Sequence, residues 1–218
     1  MFKYPKINTL FNRVYTPEEI KIYKAKKNPI VEDKNEYSRE EFKAIDRWTI
    51  QEKVDGMNIR ILKNGEVRGR TDQASIPPDL LKRLNSIFTI EKLQSVFGDK
   101  EVILFGEGYG KKIQACGEKY LDYQDFILFD VWINGIWCNR DALESIAESF
   151  SIKCVPLVFR LLDCHWNKED IISFIKSKPN SFIGKDLTIE GIVAKPDPIL
   201  LFQNGDPVYF KLKCKDFE

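Results

Sequence analysis

The chain has 218 residues, of which 43% are hydrophobic and 31% charged, and its net charge is +1 at pH 7. This composition excludes a disordered or fibrous protein, and the length predicts one compact domain with a buried core. No apolar run is long enough to cross a bilayer, and Lys3, Lys6 and Arg13 stand where a signal peptide would need an apolar core. We therefore expect a cytoplasmic protein without membrane contacts.

The first clear element in chain order is a strand over residues 48–54, because apolar Trp48, Ile50 and Val54 alternate with polar residues. This alternation places Lys53 near the end of the strand and away from the core. A hairpin is predicted next, with strands over 58–62 and 66–70. Asn64-Gly65 joins them, and this dipeptide readily adopts the positive backbone angles of a tight turn.

Helical and strand patterns share the rest of the chain. Helices are predicted after Pro77-Pro78, before Gly98, from Asn139 through Phe150 and over residues 170–177. Strands are predicted over 102–105, 126–133, 188–194 and 208–213, with turns at Asn134-Gly135 and Asn204-Gly205. This mixed order predicts an α+β fold with antiparallel sheets flanked by helices, and not a doubly wound parallel sheet.

The first candidate site is Glu52-Lys53-Val54-Asp55-Gly56-Met57-Asn58, where a lysine ends a strand and a glycine lets the backbone turn close to a ligand. The pattern Lys-x-Asp-Gly alone also describes an ordinary exposed junction between a strand and a turn. Four further segments follow in order: residues 67–71 with Arg68 and Arg70, 104–110 with Glu107, 126–130 with Phe129-Asp130, and 190–196 with Glu190, before a last Lys211-Leu212-Lys213.

With these segments the sequence resembles the covalent nucleotidyltransferase superfamily of ATP-dependent RNA ligases, DNA ligases and mRNA capping enzymes. The resemblance covers motifs I, III, IIIa, IV and V over residues 52–215. Glu52-Lys53, Asn58 and Phe129-Asp130 are most similar to the RNA ligase 2 group. Tyr4-Pro5-Lys6-Ile7 and Gly69-Arg70-Thr71-Asp72 are also similar to small stand-alone RNA ligases of phages and bacteria.

The resemblance implies a nucleotidyltransferase fold, related to ATP-grasp proteins, and an enzyme in which Lys53 attacks ATP and carries AMP. AMP would pass to the 5′-phosphate of RNA, and a 3′-hydroxyl would then seal the strand, as in RNA repair. The substrate would be RNA ends or a nicked duplex, and no protein partner is predicted. The alternatives are a DNA ligase or another adenylyltransferase acting on nucleic-acid ends, and a nucleic-acid-binding pseudoenzyme.

Lys53 must attack as a neutral amine, whereas a free lysine has a pKa of about 10.4 and is charged near neutrality. Lys211 and Lys213 lie two apart on one strand, so they share a face. That placement suits them both to contact the α-phosphate and to destabilise a second ammonium beside them. The alternative is a solvated edge strand whose lysines prevent aggregation.

The carboxylates Glu107 and Glu190 stand beside glycines near strand ends, where they could reach a metal ion that also binds phosphate oxygens. The resemblance assigns both to the metal site, with Glu107 also contacting the nucleotide. The expected ion is Mg2+, with Mn2+ as a substitute. Glu190 could instead be the partner in a surface salt bridge.

The resemblance assigns the nucleotide to four further residues. Phe129 would stack on adenine, and Phe126 is the alternative. Phe126, Leu128 and Phe129 cannot all share one strand face, so one side of this strand must line either the pocket or another layer. Glu52 would accept a hydrogen bond from the adenine amino group and so select ATP. Asn58 and Arg70 would hold the ribose and the phosphates, while Arg60 and Arg68 have the same strand parity. The expected organisation is one adenylyltransferase domain over residues 1–218, without a C-terminal OB-fold domain.

Overall fold

The computed structural model describes residues 3–13, 36–158 and 166–217. Contacts divide the chain into two compact units. Unit 1 comprises Met1–Tyr4, Val54–Pro156 and Ser181–Leu187, and unit 2 comprises Pro5–Lys53, Leu157–Asn180 and Thr188–Glu218. The single domain expected over residues 1–218 stays a prediction.

The described residues form ten strands, five α-helices and two short 3-10 helices. The strands are β1 (Asn8–Thr9), β2 (Thr49–Lys53), β3 (Met57–Leu62), β4 (Val67–Gly69), β5 (Val102–Gly110), β6 (Gln124–Ile133), β7 (Ile136–Trp137), β8 (Lys153–Cys154), β9 (Gly191–Lys195) and β10 (Phe210–Lys213). The helices are α1 (Pro78–Ile87), α2 (Ile90–Phe97), α3 (Gly117–Tyr120), α4 (Arg140–Ser149) and α5 (Lys168–Lys176), with 3-10 helices at Glu40–Lys43 and Cys214–Phe217.

Unit 2 contains a four-stranded sheet in the order β1-β10-β9-β2. All its pairs are antiparallel except the parallel pair of β1 and β10. Alternate residues of the three longer strands are buried in one apolar core, to which α5 contributes Ile171 and Ile175. The strands supply Ile50, Ile192 and Leu212. The residues between them in sequence therefore lie on the other face of this sheet, because side chains alternate along a strand.

Unit 1 contains a six-stranded sheet in the order β4-β3-β5-β6-β7, with β8 parallel to β6. Helices α1, α2 and α4 pack on one face and form the main apolar core of this unit. Local signals set the helix ends: Pro78 occupies the first turn of α1, and the side chains of Thr89 and Asn139 cap α2 and α4. The mixed architecture with antiparallel sheets confirms the predicted fold class.

The predicted hairpin is confirmed, since β3 and β4 pair antiparallel and Gly65 has a φ of 80° in the turn. Strand β5 is longer than predicted and runs through the glycine-rich segment to Gly110. Sequence preference disfavours glycine in strands, but here a Cβ on Gly106 would lie 2.2 Å from the Phe126 ring. Close packing of β5 on its neighbours therefore requires the glycine that strand propensity penalises.

The structure also describes the apolar character of the helices and the state of the cysteines. No helix in residues 3–13, 36–158 and 166–217 has the length and apolar character needed to cross a membrane. Cys116, Cys138, Cys154 and Cys214 form no disulfide with one another, and Cys214 is buried. The fifth cysteine, Cys164, lies outside the described residues.

Candidate active site

Lys53, Gly191 and Lys213 lie side by side across three neighbouring strands of unit 2. Lys53 is the last residue of β2 and pairs in register with Gly191, the first residue of β9. Gly191 pairs on its other side with Lys213, the last residue of β10. The two lysines therefore flank one glycine, and Glu190 is the residue immediately before it.

The Glu190 carboxylate holds both lysine side chains. Lys53 Nζ donates to Glu190 Oε2 at 2.5 Å, and Lys213 Nζ donates to Glu190 Oε1. Burial, which leaves the Glu190 side chain 16% exposed, opposes its ionisation, but the two lysines outweigh this and hold its pKa below the usual value. Glu190 is therefore a carboxylate at neutral pH, and the structure brings together three of the predicted site residues, Lys53, Glu190 and Lys213.

Gly191 lets the three strands approach closely at this point. A Cβ on Gly191 would lie 2.1 Å from the Leu212 carbonyl oxygen and 2.7 Å from the Lys213 Cα atom, so the backbone would have to shift. Any shift would change the spacing of the lysines on either side. The close packing of the three strands at this site therefore requires glycine at position 191.

The substitution Gly191→Ala is expected to destabilise the protein by about 1–3 kcal/mol, because it forces a side chain into a closely packed backbone. Chemical denaturation measures this loss. The matched control is Gly135→Ala, at a turn where an added Cβ meets nothing within 4 Å, although its φ of 92° adds local strain. Equal losses of unfolding free energy in the two variants would contradict the steric argument for Gly191.

Lys211 and Glu52 lie on the strands that carry this group. Lys211 pairs with Val193 and shares the strand parity of Lys213, as predicted. Glu52 is only 1% exposed and pairs with Ile192, so it has the parity of the core residue Ile50 and not that of Lys53. The predicted contacts of Lys211 with phosphate and of Glu52 with adenine stay predictions.

The turn that follows Lys53 belongs to unit 1 and is fixed by several contacts. The Asp55 N–H donates to the Tyr120 hydroxyl at 3.3 Å, and the Gln114 side chain donates to the Gly56 carbonyl at 2.9 Å. A Cβ on Gly56 would lie 2.2 Å from the Gly108 carbonyl oxygen. The glycine of the Lys-x-Asp-Gly pattern is therefore needed for the close approach of this turn to β5.

Asn58 and Glu107 come together in unit 1, because they are register partners on the antiparallel pair of β3 and β5. Both have the parity opposite to Ile59 and Leu104, which face the helix-packed core. Asn58 Oδ1 is buried without a hydrogen-bond partner in the described part of the chain. A buried acceptor left unsatisfied costs about 1–3 kcal/mol, so this oxygen favours a ligand that carries a donor.

Phe129 is the extra residue of a β-bulge in β6. Phe105 pairs with Asp130 and Gly106 pairs with Leu128, which leaves Phe129 without a counterpart on β5. Leu128 and Val131 both face the helix-packed core. The two residues between them, Phe129 and Asp130, therefore face the other side, the side of Asn58 and Glu107. Bulges re-aim side chains in this way and are common beside active sites.

The structure distinguishes Phe129 from its alternative. Phe126 is 1% exposed and belongs to the helix-packed core, where its ring lies 5.5 Å from that of Phe88. Phe129 is only partly buried and packs against a separate small cluster. Of these two aromatic residues, only Phe129 lies on the face of the sheet that carries Asn58 and Glu107. Its stacking on adenine stays a prediction.

Tyr4 supports Phe129 and was not assigned a role from the sequence. Its hydroxyl donates to Asp130 Oδ2 at 2.5 Å, and its ring centroid lies 5.0 Å from that of Phe129. The same ring lies 5.0 Å from Phe105 and 5.8 Å from Trp137. The signal in the sequence was the run Tyr4-Pro5-Lys6-Ile7, which carried a resemblance but no physical role.

The substitution Tyr4→Phe is expected to cost about 1.5–3 kcal/mol of unfolding free energy, because Asp130 is 2% exposed and loses a hydrogen bond to a charged acceptor. The ring contacts remain, so Phe129 should keep its place. Denaturant unfolding measures the effect. Tyr123→Phe is the control, since Tyr123 is exposed, and an equally small change in both variants would contradict a structural role for the Tyr4 hydroxyl.

Three arginines were candidates for phosphate contacts, and they differ in burial and in hydrogen-bond partners. Arg60 is fully buried, donating to the Gly69 carbonyl at 3.0 Å and to Asp72 at 2.8 Å. Arg68 pairs with Glu66 and Asp72. Arg70 is exposed and follows directly after β4. Arg60 and Arg68 thus hold the segment that carries Arg70, whose phosphate contact stays a prediction.

Known protein structures share this fold. Naegleria gruberi RNA ligase with PPi matches at a TM-score of 0.58 and 22% sequence identity, covering 77% of this chain and 49% of that chain. A mutant of that ligase with ATP and Mn matches at 0.56 and 20% identity, covering 77% and 50%. Another mutant, with AMP and Mn, matches at 0.57 and 22% identity, covering 77% and 49%. The fold is therefore that of the nucleotidyltransferase ligases.

The sequence profile of the RNA ligase family matches residues 46–213, which is most of the chain. The chain therefore belongs to the RNA ligase family. It spans about half the length of the N. gruberi ligase structures that it matches. No curated protein sequence matches the chain significantly.

Proposed function

We propose that this chain is the nucleotidyltransferase part of an ATP-dependent RNA ligase, in which Lys53 becomes covalently linked to AMP. One observation carries the proposal. The Glu190 carboxylate accepts hydrogen bonds from both Lys53 and Lys213 at the aligned ends of three strands. In the first reaction Lys53 Nζ forms a bond to the α-phosphorus of ATP. The bond from that phosphorus to the bridging oxygen breaks, and pyrophosphate leaves.

Glu190, Lys213 and Lys211 of unit 2 assist Lys53 in this reaction. Glu190 keeps the Lys53 side chain oriented at the strand end. Lys213 shares the same carboxylate, so its side chain is held close to Lys53. Lys213, with Lys211, then binds the α-phosphate, whose charge grows as pyrophosphate departs.

The residues fit a divalent cation that keeps most of its water. Glu190 is ionised and presents two carboxylate oxygens, which Mg2+ and Mn2+ both accept as ligands, while Glu107 stays a predicted metal ligand. In the described ranges no three histidine, cysteine or acidic residues cluster in a way that could hold a metal ion by themselves. When bound, the ion neutralises charge on the phosphates.

The residues of unit 1 suit the nucleoside. Asn58 Oδ1 is a buried acceptor, which a ribose hydroxyl could satisfy as donor, and Phe129 offers an aromatic ring on the same strand face. Arg70 is exposed and available to a phosphate chain. From unit 2, Glu52 is proposed to accept a hydrogen bond from the 6-amino group of adenine, where guanine carries a carbonyl oxygen.

RNA is the proposed acceptor of AMP. Membership in the RNA ligase family and the shared fold support this choice, and N. gruberi RNA ligase mutants have been solved with ATP and Mn and with AMP and Mn. AMP would pass to an RNA 5′-phosphate, and a 3′-hydroxyl would displace it to form a phosphodiester, at free ends or in a nicked duplex. The cytoplasmic location stays a prediction.

Incubation with α-labelled ATP and Mg2+ or Mn2+ tests the first reaction. Label should remain on the denatured protein, whereas γ-labelled ATP should leave none, because pyrophosphate departs. Absence of protein-bound label with α-labelled ATP would overturn the proposal. A second assay compares nicked RNA, nicked DNA and single-stranded RNA with a 5′-phosphate, and sealing of nicked DNA alone would identify a DNA ligase.

A further inference from the structure

The end of β10 needs a hydrogen-bond partner that the sheet does not provide. The Cys214 N–H donates to the Glu190 carbonyl at 3.1 Å, on the side of β9. Backbone N–H groups alternate in direction along a strand, so that of Lys213 points away from β9, toward β1. In the described chain, however, β1 pairs with β10 only at Phe210 and Lys211.

Asp216 supplies the missing acceptor. Its Oδ2 accepts from the Lys213 N–H at 2.8 Å, while its own backbone belongs to the 3-10 helix Cys214–Phe217. Lys213 stands just before this helix and Asp216 is its third residue. The contact is therefore one half of a capping box, in which a side chain reaches back to the N–H at the start of a helix.

The second oxygen of Asp216 is held by the N-terminal segment. Arg13 Nη1 lies 2.5 Å from Asp216 Oδ1, and the two side chains are 13% and 2% exposed. Burial of a carboxylate is costly unless it is paired and hydrogen-bonded, and Asp216 satisfies both conditions with two different partners. A buried ion pair often adds little net stability compared with apolar residues, so stability alone is a weak reason for this arrangement.

We propose that Asp216, held by Arg13, is a positioning residue for Lys213. By fixing the Lys213 backbone it keeps the Lys213 ammonium on Glu190 and at a set distance from Lys53. This inference rests on the proposed function, because Lys213 acts there on the α-phosphate. Asp216 itself touches no reacting atom, so its whole effect on the reaction passes through Lys213.

Asp216→Ala is expected to slow formation of the AMP adduct about 10- to 100-fold at saturating ATP, as small misplacements of catalytic groups do. The decisive measurement is a double-mutant cycle with Lys213→Ala, followed by single-turnover adenylation. In the Lys213→Ala background, Asp216→Ala should cause less than about a 2-fold further loss, because the group it positions is gone. Equal factors in both backgrounds would overturn the proposal.

Two further variants separate positioning from general destabilisation. Asp216→Asn keeps an oxygen for the Lys213 N–H and should recover most of the rate lost in Asp216→Ala. Glu144→Ala, the control, removes the partner of an Arg140 ion pair of 2.7 Å in unit 1 and should leave adenylation unchanged. If Asp216→Asn is as slow as Asp216→Ala although folded, the hydrogen bond to Lys213 is not the cause and the proposal fails.

Amide hydrogen exchange tests the contact without any activity. In the wild-type protein the Lys213 N–H should exchange slowly, and Asp216→Ala or Arg13→Gln should speed it at least about 10-fold relative to Leu212, whose N–H points toward β9. Unchanged exchange at Lys213 would overturn the inference. If the wild-type protein takes no label from ATP, the proposed function fails, whereas the exchange result still decides whether Asp216 fixes this backbone.

Discussion

Lys53→Ala is expected to abolish the covalent AMP adduct, with label from α-labelled ATP falling at least about 1,000-fold, as loss of a nucleophile does. The reason is chemical, because this variant removes the amine that attacks the α-phosphorus, and Lys213, which shares the strand-end position and the Glu190 carboxylate, lacks the Lys-x-Asp-Gly turn that follows Lys53. Gel electrophoresis of the denatured protein, followed by counting of bound label, measures this result. Label retained on Lys53→Ala would exclude Lys53 as the AMP carrier.

Lys53→Arg is the sharper companion variant. Arginine keeps a positive charge for Glu190, but its guanidinium is not deprotonated in proteins and cannot attack phosphorus. This variant should therefore remain folded and yet form no adduct. Lys100→Ala serves as the control at an exposed lysine outside the site and should label like the wild-type protein. An active Lys53→Arg enzyme would be incompatible with the proposed chemistry.

Glu190→Gln is expected to have the second largest effect, slowing adduct formation about 100-fold or more and costing about 1–3 kcal/mol of unfolding free energy. The amide preserves the shape of the side chain but not the charge that holds two ammonium groups together. Lys53 and Lys213 then repel each other without a counter-ion. Single-turnover labelling and denaturant unfolding at pH 7 measure the two losses.

The pH dependence of stability tests the same charge. Because the pKa of Glu190 is lowered in the folded protein, its carboxylate stabilises the fold above the ordinary value of 4.5, and this contribution is lost as pH falls through the lowered pKa. The difference in unfolding free energy between wild type and Glu190→Gln should therefore shrink below about pH 4.5. A difference that is constant with pH would contradict this account.

Glu118→Gln is the matched control for both measurements. Glu118 is 67% exposed and lies 3.6 Å from Lys111, a surface pair that contributes about 0–1 kcal/mol. The variant should label normally and differ little from the wild-type protein in stability. A large loss of labelling in Glu118→Gln would show that the assay responds to any lost carboxylate.

The sequence was sufficient where a local pattern determines the structure. Alternation of apolar and polar residues placed Lys53 at a strand end, and Asn64-Gly65 located the hairpin of β3 and β4. The spacing of Lys211 and Lys213 predicted a shared face on β10. These features depend on neighbours within a few residues, so composition and periodicity carry the information.

The sequence was insufficient where the structure depends on distant contacts. The bulge at Phe129 results from a one-residue offset between β5 and β6, which no periodicity of either strand reveals. Tyr4 meets Asp130 across 126 positions of sequence, and Arg13 meets Asp216 from opposite ends of the chain. The fold and not the local sequence brings such pairs together.

Cys214 gives this site a natural chemical reporter. Cys214 follows Lys213 directly and is the first residue of the terminal 3-10 helix. Its thiol is buried and donates to the Ile189 carbonyl at 3.3 Å. Thiol reagents react with the accessible thiolate, so Cys214 should react only when this end of β10 opens. The rate of its alkylation would therefore report, without any introduced label, how often the strand end that carries Lys213 comes apart.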